Sequence, residues 1–75
     1  MDEKEIRDFL FEKDEDFRRA ALLHKEYEKM LDGLKKKSCL SNEEELKEKE
    51  LKKKKLTLKD KMHWMISEHK KSLKD

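Results

Sequence analysis

DGLKKKSCLSNEEEL, residues 32–46, holds the clearest interruption in a chain that otherwise favours helix. Its Ser-Cys-Leu-Ser segment predicts a short loop over 38–41, since serine favours turns over helix interiors. Ser41 followed by Glu44 is a capping-box pattern, in which each side chain accepts a hydrogen bond from the other residue's backbone amide. The glutamates at 43–45 complement the helix dipole in the first turn. The stretch therefore predicts a chain reversal that starts a new helix.

Helical patterns extend on both sides of this loop. The C-terminal helix is predicted over about 42–72, where Glu–Lys pairs four residues apart support the exposed side. The middle helix is predicted over about 14–37, with Asp14 as its N-cap. Ile6, Phe9 and Leu10 have helical spacing and predict a short N-terminal helix over about 3–11. We interpret residues 1–75 as one all-α domain.

The composition separates a small helical protein from a disordered one. Of the 75 residues 53% are charged, which by itself is typical of disorder. However, the chain has one glycine, no proline and four methionines, and it is rich in Leu, Glu and Lys, which are good helix formers. The hydrophobic core of so short a chain contributes only about 3–5 kcal/mol to the free energy of unfolding. Association with a second copy or a partner is therefore expected to bury further apolar surface.

The single cysteine and the lack of long apolar runs bear on where the protein acts. Cys39 has no second cysteine to pair with, so no disulfide within the chain is possible, and a reducing cytoplasm is favoured. No apolar run is long enough for a signal peptide or a membrane span. We therefore expect a cytoplasmic protein that does not enter the membrane.

An apolar seam is predicted between the two long helices. At about 100° per residue, one side of each helix collects mainly apolar residues with coiled-coil-like spacing. The predicted seam consists of Phe17, His24, Tyr27 and Leu31 on the middle helix and Leu51, Lys55, Leu58, Met62 and Met65 on the C-terminal helix. Because the loop is short, the helices are expected to form an antiparallel two-helix hairpin, with Leu31 near Leu51 and Phe17 near Met65.

Large apolar residues also lie outside this seam. Leu46, Leu56 and Trp64 point away from it on the C-terminal helix, and a two-helix seam cannot bury them. We interpret them as a candidate outer interface. Part of it is expected to be covered by the N-terminal segment, with Ile6, Phe9 and Phe11 near Trp64, and part by another copy of the chain.

Charge is distributed unevenly along the chain. Residues 1–34 hold seven basic and eleven acidic side chains, net −4, and residues 35–75 hold fourteen basic and eight acidic, net +6. The two halves therefore attract each other, within one chain or between copies. The four lysines at 52–55 cannot share one side of a helix and are expected to wrap around it.

No residue pattern predicts catalysis, a cofactor or a metal site. His63 and His69 are six residues apart and miss the four-residue spacing at which two histidines on a helix share a metal. His24 is interpreted as a packed histidine with one nitrogen bonded across the seam, the alternative being a pH-sensitive contact or a ligand contact. Lys55 is interpreted either as a seam residue whose ammonium reaches an acid such as Glu28, or as a residue that sets the register.

The chain resembles the YdcH-like family of small bacterial proteins, a domain of unknown function. The resemblance spans roughly residues 6–66 and is carried by DFRRAALLHKEY at 16–27 and LKKKKLTLKDKM at 51–62, in which KLTLKD is the more specific part. It implies a cytoplasmic helical hairpin without known enzyme activity. The chain departs from the family pattern at Ala20, Ala21 and Lys61.

Two classes of function are compatible with these features. The first is a non-enzymatic, self-associating interaction or adaptor module, a homo-oligomer with a dimer as the preferred form, which binds itself, an unknown protein or both. The alternative is a nucleic-acid-binding accessory protein that uses the lysine-rich C-terminal helix. Interspersed glutamates and the lack of a known nucleic-acid-binding motif favour the first.

Overall fold

The computed structural model describes residues 2–73, which form three helices. These are α1 (Glu3–Lys13), α2 (Glu15–Lys35) and α3 (Asn42–Leu73). The all-helical fold class predicted from the sequence is thus confirmed, and a short N-terminal helix precedes the two long ones. The ends of the predicted domain, residue 1 and residues 74–75, lie outside the described residues. The molecule is elongated, with extents of 52 × 19 × 16 Å.

Each helix begins beside a side chain that accepts a hydrogen bond from a backbone amide in the first turn. The Glu5 amide donates to the Asp2 carboxylate at 2.9 Å, and the Phe17 amide donates to the Asp14 carboxylate at 3.1 Å. At the start of α3 the predicted capping box is confirmed. The Glu44 amide donates to the Ser41 hydroxyl at 3.2 Å, and the Ser41 amide donates to the Glu44 carboxylate at 3.1 Å. Local sequence therefore sets where the helices start.

The connection between α2 and α3 spans residues 36–41, two residues more than the predicted loop. The Lys37 amide donates to the Leu34 carbonyl at 3.2 Å, a tighter pattern than that of an α-helix, so the last turn of α2 narrows before the loop. The Lys37 ammonium then binds the Glu44 carboxylate across the loop. The chain thus passes from the end of α2 to the capped start of α3 within six residues.

The main core cluster joins all three helices. Ile6 and Leu10 of α1 pack with Phe17 of α2 and Ile66 of α3, and Met62 and Met65 lie against them. Ile6 is completely buried. Further along the molecule, Ala20, Leu31 and Leu51 are also buried. The short helix α1 therefore completes the core instead of lying on its surface.

Candidate interaction surfaces

The nine predicted seam residues are all at least half buried. Phe17, Leu31 and Leu51 are buried, whereas His24, Tyr27, Lys55, Leu58, Met62 and Met65 are half-buried. Phe17 and Met65, expected to be neighbours, lie in the same apolar cluster. The seam pattern thus identifies the side of each long helix that faces the other helix and α1, and it leaves the remaining sides for other contacts.

Lys55 reaches from α3 to α2 and forms an ion pair. Its ammonium lies 3.3 Å from the carboxylate of Glu28, the acid that the sequence suggests as its partner. The hydrogen bond from Lys55, together with its positive charge, lowers the pKa of Glu28 below the ordinary carboxyl value. Lys55 is half-buried in the seam, and its ammonium pairs with a carboxylate of the neighbouring helix.

His24 differs from the expectation that one of its nitrogens bonds across the seam. Its Nε2 is buried and has no hydrogen-bond partner among residues 2–73. Helical spacing places His24 on the inner side of α2, but it does not supply a polar group opposite the ring. The structure brings no such group to Nε2, so the side chain fills space and makes no polar link there.

The three predicted outer residues are the most exposed large apolar side chains of α3. Leu46 is 61% exposed, Leu56 is 58% exposed and Trp64 is 64% exposed. The expectation that the N-terminal segment covers Trp64 is wrong, because Ile6 inserts into the core beside Phe17 and Ile66. Within the described chain this apolar side of α3 remains in contact with solvent.

Phe9 and Arg18 have contacts that the sequence did not suggest. The Phe9 ring lies against the His69 ring, with centroids 5.1 Å apart. The Arg18 Nε donates to the Phe11 carbonyl at 2.8 Å, and its Nη2 donates to the Glu12 carbonyl at 2.7 Å. No sequence signal distinguishes Arg18 from Arg19, since only the fold brings one of them to the end of α1.

The lysines at 52–55 wrap around α3, as predicted. Lys52 lies 3.3 Å from Glu48 on the same helix, whereas Lys55 turns inward to Glu28. Lys53 and Lys54 line a shallow groove beside Tyr27 and Leu58. The run therefore divides its charge among several sides of the helix and does not form one cationic patch.

The described residues form a cleft between the helices but no cluster of metal-ligating side chains. Within residues 2–73 no group of three or more His, Cys, Asp or Glu side chains is placed to hold a metal ion. A cleft of about 380 Å³ lies where the three helices meet and is lined by Phe11, His24, Lys59 and Met62, among others. Its lining also includes Phe17, Glu28 and Lys55, which hold the helices together. None of the helices in this part of the chain is long and apolar enough to cross a membrane.

The fold and these surfaces define a small all-helical protein with an unburied apolar stripe on its longest helix. No model of a known protein family matches the chain, and searches of curated proteins and of solved structures also found no significant match.

Proposed function

We propose that the protein is a self-associating interaction module built on an antiparallel, coiled-coil-like hairpin of α2 and α3. Three contacts support this arrangement. Phe17 clusters with Ile66, Glu28 pairs with Lys55, and Lys37 binds Glu44. Positions that rise along α2 thus meet positions that fall along α3, the order expected of antiparallel neighbours.

The observation that carries the proposed function is the exposure of Leu46, Leu56 and Trp64. Leu46 and Trp64 are about five helical turns apart and lie on one line along α3, with Leu56 about 80° to the side. Exposed apolar side chains that share one side of a helix are typical of a protein–protein interface. Burial of such side chains contributes about 1.5–3 kcal/mol each.

The charge pattern along α3 favours a second copy of the chain as the occupant. Residues 43–50 hold five acidic and two basic side chains, net −3, and residues 52–61 hold one acidic and six basic, net +5. An antiparallel pair of α3 helices centred near residue 51 places Leu46 of one copy beside Leu56 of the other. The same pairing sets the acidic segment of each copy against the basic segment of its neighbour.

Replacing Leu56 with glutamate tests this interface. We expect Leu56→Glu to convert the dimer to a monomer in sedimentation equilibrium, because a charge in the paired stripe would be desolvated without a partner. The helical circular dichroism spectrum should not change, since Leu56 is exposed in the single chain.

Leu22→Glu is the matched control. Leu22 is 50% exposed but lies on α2, outside the stripe, so this variant should remain dimeric. A wild-type protein that sediments as a monomer at high concentration, or equal effects of the two variants, would contradict the proposal.

The proposed role is binding without a catalytic step, in the cytoplasm, and the YdcH-like resemblance remains part of the proposal.

Nucleic-acid binding through Lys53 and Lys54 is the competing outcome. Contacts with phosphates release counterions, so such binding would weaken steeply with salt. A gel-shift titration of the wild-type protein with RNA, at low and at moderate salt, separates the two. Tight, salt-sensitive binding that persists in Leu56→Glu would favour the competing function.

A further inference from the structure

The short helix α1 is joined to α2 by one residue. Asp14 is the only non-helical residue between Lys13 and Glu15, and its backbone is extended, with φ −111° and ψ 113°. Beyond this joint, α1 inserts Ile6 and Leu10 into the core. A change at a single residue therefore decides where the whole of α1 lies.

Side chains hold this bend, and the backbone does not require it. Residues 11–18, FEKDEDFR, contain neither glycine nor proline and permit a continuous helix. In the bend, the Arg18 guanidinium donates to the carbonyls of Phe11 and Glu12. In a continuous helix those carbonyls would accept the amides of Glu15 and Asp16 instead.

The bent and straight forms are thus closely matched in hydrogen bonds. The Phe17 amide, which donates to the Asp14 carboxylate in the bend, would donate to the Lys13 carbonyl in a straight helix. What the straight form loses is apolar burial, since Ile6 and Leu10 would leave Phe17 and Ile66. A second copy of the chain can restore this burial with the same residues in the same groove.

We propose that Asp14 is a hinge through which two copies of the chain exchange α1, each placing its Ile6 and Leu10 against Phe17 and Ile66 of the other. The exchanged contacts are those of the single chain, so the exchange costs little beyond association itself. It uses a different part of the molecule from the outer stripe of α3 and does not depend on the function proposed above.

A cross-link between positions 9 and 69 detects the exchange, because the rings of Phe9 and His69 are neighbours and neither side chain is buried. In a Cys39→Ser, Leu56→Glu background, one chain carries Phe9→Cys and a second carries His69→Cys. The two are mixed at high concentration and treated with a short bismaleimide. Exchange predicts a covalent dimer of the two different chains. Leu56→Glu removes the proposed α3 interface, so failure of that interface does not affect this result.

Variants at the bend should change the yield of this dimer in opposite directions. Arg18→Ala removes two hydrogen bonds found only in the bend and should raise the yield about fivefold. Glu15→Pro keeps the bend, because proline is favoured at the first position of a helix and the extended backbone of Asp14 suits the residue before it. It should lower the yield about a hundredfold, since proline interrupts a continuous helix.

Arg19→Ala is the matched control for Arg18→Ala. Arg19 pairs with Glu15 on the surface of α2 at 3.1 Å and leaves the carbonyls of α1 untouched, so the yield should stay at the level of the parent pair. Equal yields in the Arg18→Ala and Glu15→Pro mixtures would show that cross-linking is collisional and would overturn the proposal. No cross-linked dimer in any mixture would overturn it as well.

Discussion

At the scale of single residues, Lys55 shows how a charged side chain is accommodated in an apolar seam. Lys55 is half-buried in the seam, and its ammonium lies 3.3 Å from the Glu28 carboxylate of α2. The pair is partly exposed, so its contribution to the free energy of unfolding is small. The ion pair mainly aligns the two long helices, because it links the middle of α2 to the middle of α3.

Gly33 is a residue at which stability can be increased. It lies inside α2 without a positive φ, and a Cβ added there would meet nothing within 4 Å. We expect Gly33→Ala to raise the free energy of unfolding by about 0.5–1 kcal/mol, because alanine loses less backbone entropy in a helix. Urea denaturation followed by circular dichroism measures the change. A destabilised Gly33→Ala variant would show that the position is constrained by a contact outside the single chain.

At the scale of elements, the carboxylates of Glu28 and Glu44 make the packing of α2 on α3 sensitive to acid. The hydrogen bond from Lys37, followed by that from the Ser41 amide, lowers the pKa of Glu44, and Lys55 lowers that of Glu28. A carboxyl group with a lowered pKa in the folded state stabilises the fold above its ordinary pKa, here 4.5. That stabilisation is lost as the pH falls through the lower, folded-state value.

The melting temperature of the wild-type protein should therefore fall as the pH drops below about 4.5. In the Glu28→Gln, Glu44→Gln double variant this part of the fall should be smaller, since neither side chain can be protonated. Glutamine at position 44 preserves the capping box, so α3 should keep its start. Identical pH profiles for the two proteins, measured by thermal circular dichroism, would rule out both carboxylates as the source.

At the scale of the whole molecule, a thin shape leaves few residues to form the core. Among residues 2–73 the buried side chains are Ile6, Leu10, Phe17, Ala20, Leu31, Leu51 and Ile66. Four of these seven belong to the cluster that α1 completes. A core this small is typical of proteins that gain stability by association, which agrees with the proposed pairing of α3 helices.

Truncation of Ile6 tests how much the molecule depends on α1. We expect Ile6→Ala to reduce the free energy of unfolding by about 2–5 kcal/mol, because it removes a completely buried side chain and leaves a cavity. In a protein with so small a core, a loss of this size approaches the total free energy of unfolding. Lys4→Ala, on the exposed side of α1, should change stability by less than about 0.5 kcal/mol. Equal urea midpoints for the two variants would show that α1 does not belong to the core.

The helices of this protein can be predicted from its sequence, because their signals are local. Asp14 and the Ser41–Glu44 box mark two helix starts, and the absence of proline keeps the long helices continuous. Helical periodicity also separated the half-buried seam from the exposed Leu46, Leu56 and Trp64, since the direction of a side chain around its own helix follows from its position in the chain.

How these helices meet is set by the three-dimensional fold. It placed Ile6 against Ile66 and left Trp64 exposed, brought Arg18 to the end of α1, and left Nε2 of His24 without a partner. Periodicity fixes directions around one helix axis but says nothing about the distance or rotation between two axes. Those depend on the combined burial of all three helices, to which residues far apart in the chain contribute together.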